Sequence, residues 1–173
     1  MIVILTATKE EYRLVLENLK GYTVVRMGVG ASNVIHTLTN LHFPVEQCHF
    51  INVGFCGSNH LQVGTVAKVA RTFRLKDETV EFEDYRNGEK LSEDGYNCYT
   101  SNSFVTKSTS DSPVLYDMEL NYIVAFPYDL LGAVKIVSDN LDVIQYETSI
   151  DTTSAKVWAE VKKKVDEIAS KIK

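Results

Sequence analysis

The chain has 173 residues, a net charge of −5, 45% hydrophobic and 24% charged side chains. That is enough for one domain spanning 1–173 with a sizeable core, and the balance is that of a soluble globular protein. No Lys/Arg cluster is dense enough to follow a phosphate backbone or an anionic membrane surface, so neither nucleic acid nor membrane is an expected partner. Cys48, Cys56 and Cys98 are odd in number and form no C-x-x-C pair. With only four apolar residues after Met1 there is no leader-like segment, and a reduced, cytoplasmic setting is expected. His36, His42, His49 and His60 lack helical spacing to an acidic partner. No metal site and no cofactor are expected.

In chain order, "IVIL" (Ile2 to Leu5) reads as a buried strand. A helix follows, with Thr8 as its N-cap and Glu11 completing a capping box. Leu14, Val15, Leu16 and Leu19 form its apolar stripe and Gly21 ends it. "YTVVRM" is a second strand, "GVGASN" a glycine turn, and "VIHTLTNL" a second helix. "CHFINVGFCGSN" holds a third strand, Phe50 to Val53, ending at another glycine turn. "GTVAKVARTFRL" is a long strand with partial alternation. Lys76 to Asn97 is acidic and irregular and reads as a surface excursion. "SFVTKS" is a short strand, and "DMELNYIVAF" a short helix broken by Pro127. "AVKIVS" is the last strand. A closing amphipathic helix places Val157, Val161, Val165, Ile168 and Ile172 on one face and lysines on the other. Strands alternating with helices predict an α/β fold of three layers, α/β/α, with a mixed, largely parallel central sheet.

Several strands end in glycine or a small polar residue: "ILTAT", "VVRMGVG", "INVGFCG" and "KIVSD". In an open α/β sheet, strand ends gathered on one edge build a ligand crevice. Gly54 and Gly57 would let backbone N–H groups approach a ligand. G-x-G without a third glycine and a downstream acid is no dinucleotide fingerprint.

Five stretches in order resemble the nucleoside phosphorylase superfamily, and within it most closely the methylthioadenosine/S-adenosylhomocysteine nucleosidase branch. They are "ATKEEY", "RMGVGASN", "INVGFCGSNHLQVGTV", "YDMELNY" and "VKIVSDNLD", spanning Met1 to Asp142. The resemblance implies a purine nucleoside as small-molecule ligand and a homodimer or higher homo-oligomer. It implies that Asp139 protonates purine N7, since a protonated base leaves more readily, and that Ser138 orients it. Glu119 matches the carboxylate that holds the ribose hydroxyls and stabilises an oxocarbenium-like sugar, with Met118 packed on the sugar. Glu11 matches the carboxylate that activates the attacking water, with Glu10 as the alternative if the loop register slips. Phe104 and Val105 resemble a purine-stacking pair, an arrangement suited to a nucleobase face.

Each residue also has a plain structural explanation. Asp139 could cap a turn, Glu119 could favour a helix dipole, Glu11 could serve the capping box alone, and Phe104 and Val105 could be ordinary strand residues. Cys56 has no neighbouring base that would make it a nucleophile. The chain also departs from the family. The stretch between Phe104 and Glu119 is short, implying the loss of a helix. Asp117 stands where Glu is common. Phe55 stands where phosphorylases carry a hydroxyl that touches phosphate, and the acidic "TATKEE" replaces their phosphate loop. Arg74 and Arg26 remain as possible phosphate ligands. Hydrolysis of an adenosine-type nucleoside is the leading expectation. Phosphorolysis, a non-catalytic nucleoside-binding protein and a structural subunit are the alternatives.

Overall fold

The computed structural model describes residues 1–42, 44–75, 88–149 and 154–172. In chain order the elements are β1 (Ile2–Thr6), α1 (Lys9–Asn18), β2 (Thr23–Arg26), α2 (Ala31–Thr39), β3 (His49–Ser58), β4 (Val66–Arg74), β5 (Glu89–Lys90), β6 (Tyr96–Thr100), β7 (Leu115–Asp117), α3 (Leu120–Ile123), β8 (Asp129–Asp139), α4 (Val143–Ser149) and α5 (Ala155–Ala169). Among the described residues no helix is long and apolar enough to cross a membrane.

The eight strands form one mixed sheet. β2, β1, β3 and β8 run parallel in that order, so their carboxyl ends share an edge. Beyond them the pairings close into a ring. β8 pairs antiparallel with β4, β4 parallel with β6, β6 parallel with β7, and the start of β7 returns antiparallel to the end of β3. Strand alternation divides the core accordingly. Ile4, Ile51, Val134 and Ile136 pack against Leu14 and Val15 of α1 and Trp158, Val161 and Val165 of α5. On β1 the alternate residues Val3 and Leu5 join Val34 and Leu38 of α2 and Ile123 of α3. Small side chains fill the ring: Cys56, Ala67, Cys98, Leu115, Ala133 and Val137.

Several elements depart from the sequence expectation. β3 does not stop at Val53 but runs through both glycines to Ser58, because its neighbours β8 and β7 continue the ladder there. "SFVTKS" is not a strand; no regular structure lies between Thr100 and Leu115, so no helix precedes the Met118–Glu119 turn. The "DMELNYIVAF" helix shrinks to Leu120–Ile123 because Asp117 belongs to β7. Of the surface excursion, 76–87 lie outside the described residues. Its remainder contains β5 and the start of β6. In α5 Val161, Val165 and Ile168 are buried as the stripe requires, joined by Trp158, whereas Val157 is half-buried and Ile172, past the end of α5, is exposed.

Candidate active site

The shared carboxyl edge of β1, β3 and β8 opens on a cavity of about 210 Å³. The start of α1, the end of β7 and α4 complete its wall. Four carboxylate residues line it, Glu11, Asp117, Glu119 and Asp139, and among the described residues no lysine, arginine or histidine does. The structure therefore brings Asp139, Ser138, Glu11, Glu119, Met118, Phe104, Gly57 and Phe55 to one cavity.

Asp139 owes its position to a β-bulge. Cys56 faces Val137 across the ladder, but the next residue, Gly57, faces Asp139. Ser138 is thus the extra residue, and a bulge re-aims side chains that regular alternation would send to opposite faces. Ser138 Oγ comes to lie 2.8 Å from Asp139 Oδ2 and 3.2 Å from Cys56 O. Its single hydrogen serves one acceptor at a time. The other oxygen, Oδ1, accepts the Leu141 N–H at 2.9 Å, across a turn that holds Leu141 at φ 65°. Burial pushes the Asp139 carboxyl above its ordinary range, against hydrogen bonds from Ser138 and the backbone that pull the other way. A carboxylic acid that keeps its proton longer than usual suits proton donation. Gly57 makes the close approach possible. A Cβ there would stand 2.9 Å from Asp139 Oδ1 and 3.0 Å from Leu141 Cδ2. Gly57→Ala is therefore expected to displace the carboxyl and cut turnover at least tenfold with little loss of stability. Steady-state kinetics and a melting curve check this.

Glu11 forms the expected capping box: Thr8 Oγ1 accepts the Glu11 N–H, and Glu11 Oε2 accepts the Thr8 N–H. The carboxylate does more than cap. Oε2 also accepts the Ala7 N–H at 2.7 Å, and Oε1 accepts the Phe55 N–H at 2.8 Å. Gly54 leaves room for it, since a Cβ there would lie 3.1 Å from Oε1. A carboxylate offers about four lone-pair sites, and backbone donors take three. The remaining one is on Oε1. Glu10 is exposed, and Glu11, not Glu10, lines the cavity.

Glu119 sits at the turn between β7 and α3. Its Oε1 accepts the Gly30 N–H at the start of α2 (3.1 Å), and its Oε2 the Met118 N–H (3.3 Å). Burial, then the neighbouring Asp117 charge, raise its carboxyl to about 8, with Glu11 adding and Lys135 and the Gly30 N–H opposing. Asp117 itself does not face a ligand with its carboxylate. That group is fully buried, ion-paired to Lys135 Nζ at 2.6 Å and hydrogen-bonded by Thr100 Oγ1 and the Leu120 N–H.

No family model matches the sequence, and no curated protein matches it. Solved structures do. The chain is similar to futalosine hydrolase of Helicobacter pylori strain 26695 at 15% identity, covering 96% of this chain and 97% of that one with a TM-score of 0.75. It is equally similar to the H. pylori 5′-methylthioadenosine/S-adenosylhomocysteine nucleosidase complexed with a substituted pyrrolidin-3-ol, with the same identity, coverage and TM-score. The S-adenosylhomocysteine nucleosidase of Streptococcus pyogenes, in complex with 5-methylthiotubericidin, matches at 18% identity over 94% of this chain and 96% of its own, TM-score 0.70. The chain has the nucleosidase fold.

Within this nucleosidase fold the aromatic residues take places that the sequence did not reveal. Phe104 lies in irregular chain, its ring 5.8 Å from that of Tyr146 and edge-on to it. Val105 borders a smaller recess with Gly57, Tyr116 and Leu141 rather than the main cavity. Phe55 buries its ring among core residues, so its backbone N–H, not its side chain, meets Glu11. Tyr146 of α4 lines the cavity and was missed. Its hydroxyl is raised to about 12 by burial and then by Glu11, Glu119, Glu10 and Asp139. Only its place after the Ser-Asp turn could have flagged it. Arg74 stacks on the Tyr122 ring, 5.0 Å from its centre, and Arg26 is exposed at the end of β2. Neither lines the cavity.

Proposed function

We propose that the protein is a purine nucleosidase: it hydrolyses the N-glycosidic bond of an adenosine-type nucleoside, as a divergent member of the nucleoside phosphorylase superfamily. One observation carries the reading: an acid poised to hold its proton, Asp139, shares a small cavity with Glu11 and Glu119 and, among the described residues, with no cationic side chain. Asp139 donates its proton to the purine at N7 and turns the base into a good leaving group. The C1′–N9 bond breaks and its electron pair goes to the base. Positive charge then grows on the sugar, where Glu119 in its ionised form stabilises it and accepts from the hydroxyls. Water adds to C1′, and its proton passes to Glu11, whose free lone pair on Oε1 is the acceptor. Ser138 holds Asp139 in place, and Phe104 and Tyr146 offer ring surface to the base.

The same charge pattern speaks against phosphate as nucleophile. Among the described residues no lysine, arginine or histidine lines the cavity to hold a phosphate dianion, and Arg74 is engaged with Tyr122. Methylthioadenosine, adenosine and inosine incubated with the protein should yield free base and free sugar at rates unaffected by millimolar phosphate. Product that forms only with phosphate, as sugar 1-phosphate, overturns hydrolysis in favour of phosphorolysis. One observation favours a second reading. Three backbone N–H donors on Glu11 are what a purely structural carboxylate would collect, and a nucleoside-binding protein would then release no base. Calorimetric binding of the nucleoside without base release over hours supports that alternative.

A further inference from the structure

We propose that Lys135 and Asp117 form a buried positioning pair that sets the reach and the charge of Glu119. The proposal rests on the nucleosidase reading only for its kinetic consequence, not for the pair itself. The two side chains are 1% and 0% exposed, with Nζ 2.6 Å from Oδ2. Alternation along β8 sends Lys135 to the same side as Ala133 and Val137, which are interior residues of the strand ring. Asp117 likewise follows Leu115 inward from β7, and Thr100 follows Cys98 from β6. A lysine amid Ala, Cys, Leu and Val is an expensive choice, because apolar side chains of similar volume are commonly as good or better for stability. Its retention calls for a use beyond packing.

The hydrogen bonds show what the pair holds. Asp117 Oδ1 accepts the Thr100 hydroxyl and Oδ2 the Leu120 N–H. Thr100 Oγ1 in turn accepts the Asn121 N–H at 2.9 Å. Residues 117, 120 and 121 are therefore tied to the ring interior on both sides of Met118 and Glu119. The turn between them is held at its two ends, and the Glu119 carboxylate is left to reach the Gly30 N–H and the cavity. Lys135 also supplies positive charge directly beneath the acidic wall. The groups facing Glu119 are Asp117 on β7, Lys135 on β8, Glu11 on α1, Tyr146 on α4 and the Gly30 N–H at the start of α2. Asp117 pushes the Glu119 carboxyl up and Lys135 pulls it down. Removing either member should move Glu119 in the direction set by the charge that stays.

The experiment is a ¹³C titration of glutamate side-chain carboxyls on the ligand-free full chain, with Glu119 assigned by the resonance absent from Glu119→Gln. Lys135→Met should raise the Glu119 midpoint by about one unit or more, and Asp117→Asn should lower it by about one unit. Lys135→Arg should leave it near the wild-type value. Asp117→Asn keeps an acceptor for Thr100 but leaves the Lys135 ammonium without its counter-ion, as Lys135→Met leaves the Asp117 carboxylate without its own, and whichever of the two folds reads the direction set by the charge that stays. Opposite shifts support the pair. Unchanged midpoints, or shifts of the same sign in both variants, overturn it, because a merely structural role has no reason to follow the sign of the deleted charge. The titration needs no substrate. A wild-type protein that releases no base would defeat the nucleosidase reading while the shifts still judge the pair. With an active protein, the limb of the kcat/KM profile that follows Glu119 should move with these midpoints.

Discussion

Asp139→Asn is expected to slow base release by about 10²–10⁴-fold, the range that general acid catalysis contributes, while the protein stays folded. The asymmetry comes from the environment of the group. Asn can still accept the Leu141 N–H through Oδ1, and its amide can donate to Ser138 Oγ, so both present contacts have substitutes. What it lacks is a transferable proton. Burial already disfavours the charged carboxylate of Asp139, so the neutral amide removes a destabilising group, and the melting temperature should hold or rise slightly at neutral pH. The wild-type rate should decline as pH rises through the raised midpoint of Asp139, where the acid form is lost. Asp139→Asn should show no such limb. Initial rates of adenine release from methylthioadenosine across pH, with a melting curve for each protein, give both quantities. Turnover of the variant within a few-fold of wild type would remove Asp139 from the proton-donor role.

The site residues differ in how far the sequence alone reveals them. Ser138 and Asp139 at the end of β8, and Glu11 shortly after β1, lie where parallel strands put their ends on one edge, whereas Glu119 was legible only through the family resemblance, because it follows β7, which runs antiparallel to β3. The bulge that turns Ser138 and Asp139 together was not legible. It depends on the ladder between β3 and β8 slipping by one residue, a property of two segments about 80 residues apart. The ring of strands was hidden for the same reason: β6 and β7 are short, and their pairings with β4 and β3 are long-range. In the sequence, Lys135 is the single polar residue of the apolar run from Ala133 to Val137. Its significance emerges only when β7 and β6 bring Asp117 and Thr100 to the same interior. Asp117 changes meaning in the same way. The residue that stands where Glu is common is the buried counter-ion of Lys135.

Glu119→Gln is expected to abolish much of a pH dependence of stability that runs against the usual acid-unfolding trend. The folded-state carboxyl is raised from 4.5 to about 8. Between those two pH values the folded chain therefore binds more protons at this position than the unfolded chain does. Stability from this group is complete below the ordinary glutamate value and is lost as pH rises toward 8. Asp139 is also raised and works in the same direction. The exposed carboxyls of Glu93, Asp94, Glu160 and Glu167 are lowered by their lysine partners, and they act below their ordinary values, outside this window. The loss assigned to Glu119 is on the order of a few kcal/mol across the window, and at about 2–4 °C per kcal/mol for a chain of this size the ligand-free melting temperature should fall by roughly 5–10 °C from pH 5 to pH 8. Gln cannot ionise and can still accept the Gly30 N–H, so Glu119→Gln should melt higher than wild type at pH 8, with a slope less than half as steep. Thermal denaturation in a constant-ionic-strength buffer series reads both numbers. Parallel wild-type and variant curves would mean that Glu119 titrates like a solvated carboxylate, and the acidic wall would then have to be neutralised by a group other than a protonated Glu119.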